Sequence, residues 1–133
     1  MDDVIIDTNI VIWYFSQLSL PSVYAQTSID KALRNGNIFV ATVTIVELTY
    51  LVEKNKIPLD VLTAVLNALD DPSSALQIIE LTRDISETIS KIPRSVVPDM
   101  PDRMIAATAL HLGVPLITSD SDIRKLKNIK TIW

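Results

Sequence analysis

The sequence contains no cysteine and a single histidine, His111, among its 133 residues. Without cysteine the chain can form no disulfide, no thiolate zinc site and no cysteine nucleophile. With one imidazole, mechanisms that need two histidines and metal sites built from several histidines are excluded as well. Any catalysis must therefore depend on carboxylates, and the lack of cysteine favours a reducing, cytoplasmic location.

Glycine is scarce and long apolar segments are missing. Two glycines and a hydrophobic fraction of 48% are typical of a compact chain rather than a disordered one. Apolar runs such as Ile10 to Phe15 are far shorter than the roughly 20 residues that a membrane span needs. The start Met1-Asp2-Asp3 lacks the basic segment of a secretory signal. We therefore expect one domain over residues 1–133, large enough to bury a core, with no membrane partner.

The net charge of −4 argues weakly against a large nucleic-acid-binding surface. A cluster of acids in one metal site would, however, account for much of that excess. Four cations near the end of the sequence are open to two interpretations: a solvated helix face, which is the more common case, or contacts to an RNA backbone. These four are Arg124, Lys125, Lys127 and Lys130.

Short β-branched runs alternate with helical patterns along the chain. This alternation predicts an α/β fold, with a mostly parallel sheet covered by helices on both faces. The predicted strands cover residues 4–6, 38–42, 114–118 and 129–133, whereas 76–81 could be a strand or the approach to a helix. The predicted helices cover residues 28–34, 44–55, 59–69, 83–92, 101–112 and 120–127, and another follows Asp7 with Ile10, Val11, Tyr14, Phe15 and Leu18 on one face.

Four acids fall where the carboxyl ends of parallel strands would meet. Asp7 ends the first strand and Asp120 follows the strand "PLIT", while Glu47 and Asp102 lie in the first turns of their predicted helices. Ligands of such sheets bind at this edge. Two like charges about 4 Å apart repel by ~4 kcal/mol at an effective dielectric constant near 20, so the cluster needs a counter-charge. Oxygen ligands without cysteine favour Mg²⁺ or Mn²⁺ over zinc.

Each of these acids also has a purely structural interpretation. Asp7 could form an Asx turn or cap the next helix, and Thr44 with Glu47 matches a capping box. A carboxylate at the position of Asp102 is favoured by the helix dipole, and Asp120 could cap the helix that follows it. The functional hypothesis therefore depends on all four acids meeting at one edge.

Three motifs in the sequence resemble those of the PIN-domain nucleases, including the VapC-type toxins. They are "VIIDTNIVI", "TVTIVELTYL" and "PDRMIAATALHLGVPLITSD", and together they span nearly the whole chain. The resemblance implies a PIN-like three-layer fold and metal-dependent cleavage of RNA, with one or two Mg²⁺ or Mn²⁺ ions activating water for attack on a phosphodiester.

Carried over by position, the resemblance implies that Asp7, Glu47, Asp102 and Asp120 are the catalytic, metal-binding acids. Asp99 and Asp122 remain alternatives, since Asp99 lies near Asp102 and Asp122 competes with Asp120. The supporting or substrate-contacting residues are expected to be Thr8, Asn9, Thr118 and Ser119, with Arg103 as a candidate phosphate contact.

The same resemblance implies a homodimer and a role as the toxin of a toxin–antitoxin pair, with an antitoxin segment blocking the acidic edge. A non-catalytic PIN-like module that binds protein or RNA is the alternative, although such a module has no reason to keep mutually repelling acids. A phospho-receiver domain is a third possibility. It would need a strand-end aspartate near mid-chain, which the sequence does not offer.

Overall fold

Five short strands form one sheet in the computed structural model, which describes residues 1–16 and 22–133. The strand order is β3-β2-β1-β4-β5 and every neighbouring pair is parallel. The predicted parallel sheet is thus confirmed, and the undecided segment 76–81 contributes an edge strand. The strands are β1 (Val4–Ile6), β2 (Ile38–Ala41), β3 (Leu76–Ile79), β4 (Leu116–Ile117) and β5 (Thr131–Ile132).

Six α-helices connect or follow the strands within residues 1–16 and 22–133. They are α1 (Thr8–Ser16), α2 (Val23–Asn35), α3 (Thr42–Glu53), α4 (Leu59–Asp70), α5 (Arg83–Thr88) and α6 (Met100–Leu112). The face predicted after Asp7 buries Ile10 and Val11 in α1, while Leu18 lies outside the described residues. None of the helices is long and apolar enough to cross a membrane in the part of the chain that the structure describes.

Three of the predicted helices differ most from the structure. The α2 helix begins at Val23 rather than Ser28, because the Ser22 hydroxyl caps it by accepting from the Ala25 amide at 3.1 Å. The helix predicted over 83–92 ends at Thr88 and continues as a 3₁₀ turn. The helix predicted over 120–127 is wrong, since only the 3₁₀ turn Ile123–Lys125 forms there.

Side chains alternate between the two faces of the sheet and bury two separate clusters. Along β1, Val4 and Ile6 enter a cluster with α1, α2 and α4, whereas Ile5 enters a cluster with α5 and α6. All three strand residues are buried, and burying a side chain of this size stabilises the fold by about 1.5–3 kcal/mol. The result is a three-layer arrangement with the sheet in the middle, as the sequence predicts.

The two glycines end helices in different ways. Gly113 closes α6 with φ of 68°, a left-handed conformation that favours glycine. Gly36 follows α2 in extended backbone, and a Cβ there would lie 2.7 Å from the Asp2 carbonyl carbon. Glycine at position 36 therefore allows the end of α2 to approach the start of β1 closely.

Candidate active site

Asp7 lies at the carboxyl end of the central strand β1 and is 4% exposed. One carboxylate oxygen, Oδ1, accepts from the Ile10 amide at 3.0 Å and so caps α1. The other, Oδ2, accepts a short hydrogen bond from the Thr118 hydroxyl, which follows the neighbouring strand β4. Burial raises the pKa of Asp7 despite these bonds, and the Asp120 carboxylate raises it further. The capping interpretation and the site interpretation are therefore both compatible with this residue.

Glu47 lies in the second turn of α3, because the helix begins at Thr42, two residues before the predicted start. Its Oε1 accepts from the Thr8 hydroxyl at 2.6 Å, and the Thr8 and Thr44 hydroxyl oxygens are 3.1 Å apart. Since Thr8 has one hydroxyl proton, Thr44 must donate to Thr8. The capping box proposed for Thr44 and Glu47 is thus wrong. Burial raises the pKa of Glu47, with further contributions from Asp99 and Asp7.

The start of α6 brings two further carboxylates to the same place. Asp99 is the N-cap and accepts from the Asp102 amide at 3.0 Å. Pro101 occupies the first turn, where its missing N–H has no helical partner to lose. Asp102 itself is half-buried, and its pKa is raised to about 7, first by burial and then by repulsion from the carboxylates of Asp99, Asp120, Glu47 and Asp7.

Asp120 is held by the short connection after β4. Its backbone N–H donates to the Thr118 hydroxyl at 3.0 Å, so Thr118 links Asp120 to Asp7. One carboxylate oxygen of Asp120 accepts from the amides of Asp122 and Ile123 at 2.9 and 3.0 Å. That leaves its second oxygen without a hydrogen bond among the described residues.

These side chains line one cavity of about 260 Å³. Its described lining contains five carboxylates and no lysine or arginine, so the negative charge is not balanced by the protein. The residues around the cavity are Asp7, Thr8, Asn9, Glu47, Leu51, Asp99, Asp102 and Asp120.

The donor set suits a hard cation, because five carboxylates offer only oxygen ligands. Across residues 1–16 and 22–133, however, no three acidic or histidine side chains are already drawn together as a metal-binding cluster. Both oxygens of Asp7 and one oxygen each of Glu47, Asp99 and Asp120 accept hydrogen bonds from the protein. Binding of a cation therefore requires the carboxylates to turn further towards one another.

Three residues predicted near the site lie elsewhere. Ser119 is exposed and does not line the cavity. Asp122 is at the surface, where it forms an ion pair with Lys125 at 3.5 Å. The Arg103 guanidinium donates to the carbonyl oxygens of Ile92 at 3.0 Å and Ile89 at 3.1 Å, which gives it a structural role, while the phosphate contact stays a prediction. Asp99, by contrast, does join the cavity.

Sequence reasoning missed two contributors. Thr44 is fully buried and supports Thr8, whereas Leu51 supplies an apolar wall to the cavity one turn after Glu47. The four-residue spacing from Glu47 to Leu51 is a signal that could have identified the second of these.

Comparison with known proteins identifies similar chains. The sequence model for the PIN domain matches residues 4–129. Ribonuclease VapC22 of Mycobacterium tuberculosis is 27% identical over 135 aligned positions, which cover all of both chains.

Solved structures share the fold at lower identity. One is VapBC2 from Rickettsia felis bound to a DNA fragment from its promoter, with a TM-score of 0.73 at 16% identity, covering 97% of this chain and 96% of that one. Another is VapBC-5 of Mycobacterium tuberculosis, from the VapBC family of toxin–antitoxin systems, with a TM-score of 0.63 at 17% identity and 98% coverage of both chains.

Proposed function

Because the chain belongs to the PIN domain family, we propose that it is a metal-dependent endoribonuclease with its active site in the acidic cavity. The observation that carries the proposal is the convergence of Asp7, Glu47, Asp102 and Asp120 on one cavity whose described lining holds no lysine or arginine. The name of the similar ribonuclease VapC22 supports RNA as the substrate class. We treat residues 1–133 as one such domain.

The raised pKa values support a cation at this position. Asp102, with a pKa of about 7, keeps a large share of its protons at neutral pH unless a positive charge arrives. A divalent cation would replace those protons, because carboxylates bind metals in their ionised form. When bound, Mg²⁺ or Mn²⁺ neutralises charge on the scissile phosphate and lowers the pKa of an attacking water. Asp7, Glu47, Asp102 and Asp120 would hold it, with Asp99 beside them.

The surrounding residues orient these carboxylates. Thr118 positions Asp7 and the backbone of Asp120 together, while the Thr44–Thr8 pair positions Glu47. Such hydrogen bonds fix the direction of a ligand oxygen and limit its movement. Asn9 is exposed at the cavity rim, so its amide is available to a bound substrate.

We further propose that the protein acts in the cytoplasm as the toxin of a toxin–antitoxin pair and forms a homodimer. The similarity to VapBC structures supports the antitoxin, which would cover the acidic cavity and block substrate or metal. Val46 and Tyr50 are 66% and 56% exposed on one face of α3. Large exposed apolar side chains of this kind favour a subunit contact, which can be checked by measuring the mass of the protein in solution.

The decisive experiment is cleavage of RNA in the presence of Mn²⁺ or Mg²⁺. We expect the parent to cleave, Asp7→Asn and Asp102→Asn to lose at least about 100-fold in rate, and EDTA to abolish cleavage, since metal-assisted charge stabilisation is worth several kcal/mol. Asp60→Asn is the matched control, because Asp60 is exposed on α4 and outside the cavity. Equal rates for all variants, or cleavage that survives EDTA, would contradict the proposal. RNA binding without any cleavage would favour the non-catalytic module instead.

A further inference from the structure

A groove distinct from the acidic cavity runs between α2 and the edge strand β5. Its volume is about 510 Å³, nearly twice that of the acidic cavity at about 260 Å³. Three cations line it, namely Lys31, Arg124 and Lys130, and no aspartate or glutamate belongs to its described lining. A chain with a net charge of −4 thus carries a positively charged groove along one edge of its sheet.

The three cations are not neutralised by ion pairs. All three side chains are exposed, and the ion pairs found between described residues join Arg83 to Glu87 and Lys125 to Asp122. Asp2 and Asp3 line the adjoining cavity, which shares Lys31 and Lys130 with the groove, but among the described residues they hydrogen-bond to Asn35 and Asn37 and form no ion pair with either lysine. The groove therefore presents its positive charge to solvent. A polyanion that binds there would gain the entropy of released counterions.

The structure separates the basic residues that the sequence places together near the end of the chain. Arg124 and Lys130 face the groove beside α2. Lys125 and Lys127 line a different cavity with Pro93 and Val96, which belong to the segment before α6. One common helix face for all four cations is thus not formed, and only two of the four contribute to the groove.

An aromatic side chain accompanies the charge. Tyr24 lines the groove and is 73% exposed, whereas most large apolar side chains of the described residues are buried or half-buried. An exposed ring beside cations is the arrangement with which proteins bind single-stranded nucleic acids, because bases stack on the ring while phosphates contact the cations. The Thr27 hydroxyl lies in the same lining and offers a further hydrogen-bonding group. An acidic peptide would use the charge but not the stacking surface.

The groove is connected to the acidic cavity through the turn from Asp120 to Arg124. The Arg124 backbone N–H donates to the carbonyl oxygen of Asp120 at 3.1 Å, so one turn of chain separates a groove cation from a cavity carboxylate. We propose that this groove binds a single-stranded segment of RNA and leads it to the acidic cavity. The proposal rests on the proposed function for the identity of the polymer, whereas the charge and the aromatic ring are features of the groove itself.

The test measures binding of a fluorescein-labelled single-stranded RNA of about 15 nucleotides to the full chain in EDTA, which prevents cleavage. The variant Lys31→Gln/Arg124→Gln/Lys130→Gln should bind at least about tenfold more weakly than the parent. The plot of log affinity against log salt concentration has a negative slope, and its magnitude should decrease by about 2 in this variant, since each lost single-strand phosphate contact contributes roughly 0.7. Tyr24→Ala should weaken binding by at least about fivefold with an unchanged slope. Lys127→Gln is the matched control and should bind like the parent.

The outcomes separate the groove from the nuclease. If the triple variant binds RNA with the parental affinity and slope while Asp7→Asn abolishes cleavage, the groove proposal is wrong and the proposed function stands. If the triple variant loses RNA binding but the parent shows no metal-dependent cleavage, the groove stands and the nuclease does not. Unchanged RNA binding together with lost binding of a polyglutamate probe would overturn the RNA assignment in favour of an acidic protein. Circular dichroism of each variant checks that the exposed substitutions leave the fold intact.

Discussion

The acidic cavity and the positively charged groove lie on either side of the turn from Asp120 to Arg124, yet they have opposite composition. The described lining of the cavity holds five carboxylates and no lysine or arginine, whereas that of the groove holds three cations and no aspartate or glutamate. The net charge of −4 reveals neither the acidic cavity nor the positively charged groove. The comparison teaches that the placement of charge, rather than its sum, decides which ligands each surface can bind.

The largest effect that would sharpen this comparison comes from two neighbouring aspartates. Asp120→Asn removes a cavity carboxylate and should lower RNA cleavage at least about 100-fold, because ligand charge is lost at the proposed metal site. Asp122→Asn changes the same residue type two positions away, where the side chain pairs with Lys125, and should change the rate less than about threefold. The measurement is kcat/KM at saturating Mn²⁺. Similar losses in both variants would mean that Asp122 also belongs to the site, contrary to the cavity lining described above.

A smaller effect is expected from the hydroxyl that joins two cavity acids. Thr118→Val keeps the shape of the side chain but leaves Asp7 Oδ2 and the Asp120 amide without their partner. We expect a 10- to 100-fold loss of activity, which is typical for residues that orient metal ligands. Thr118→Ser retains the hydroxyl and should recover most of the rate. A serine variant as poor as the valine variant would assign the loss to packing rather than orientation.

Arg103 tests whether a cation close in sequence to Asp102 belongs to the acidic cavity at all. Arg103→Met should destabilise the fold by about 2 kcal/mol in urea unfolding, because hydrogen bonds from a charged donor to the Ile89 and Ile92 carbonyls are lost. The KM for RNA should stay close to the parental value once folded protein is compared. A raised KM with unchanged stability would restore the predicted phosphate contact.

The smallest effect concerns the free energy of unfolding, which repulsion among the cavity carboxylates should lower when no metal is bound. The folded-state pKa of Asp102 is about 7, above its ordinary 3.8, so folded protein binds more protons than unfolded protein between these values and stability falls as pH rises through them. Asp102→Asn should therefore raise the free energy of unfolding in EDTA by about 1 kcal/mol at pH 8, a value reduced by solvent screening of the half-exposed carboxyl. Near pH 4 the two proteins should be equally stable. A variant that is less stable at pH 8 would contradict the repulsion argument.

The sequence predicted the site best where an acid directly follows a strand. Asp7 and Asp120 could be placed because parallel strands end at the same edge, and the observed pairing of β1 with β4 brings them together. Glu47 was placed in the right helix but the wrong turn, since α3 begins at Thr42 without a side-chain cap that would mark its start. Periodicity carries little information about such an uncapped start.

Contacts between distant irregular segments could not be predicted. The carbonyl partners of Arg103 lie at the 3₁₀ turn after α5 and beyond it, where no apolar period specifies the path. The same holds for the split of the basic residues 124–130, which depends on a 3₁₀ turn replacing the predicted helix. The position of β5 at the sheet edge beside α2 could not be predicted either, because it depends on the order in which the strands pair.

The Thr118 hydroxyl also has a consequence for the order in which the protein becomes complete during synthesis. Asp7 is made early, but its Oδ2 partner lies 111 residues later, and Asp120 follows two residues after that partner. Synthesis runs from the N-terminus, so the site is complete only when the segment with Thr118 and Asp120 has been made. An unfinished chain that already contains Asp7, Glu47 and Asp102 therefore lacks both the fourth acid and the hydroxyl that orients the first. For the proposed ribonuclease, activity therefore requires that the segment carrying Thr118 and Asp120 has been translated.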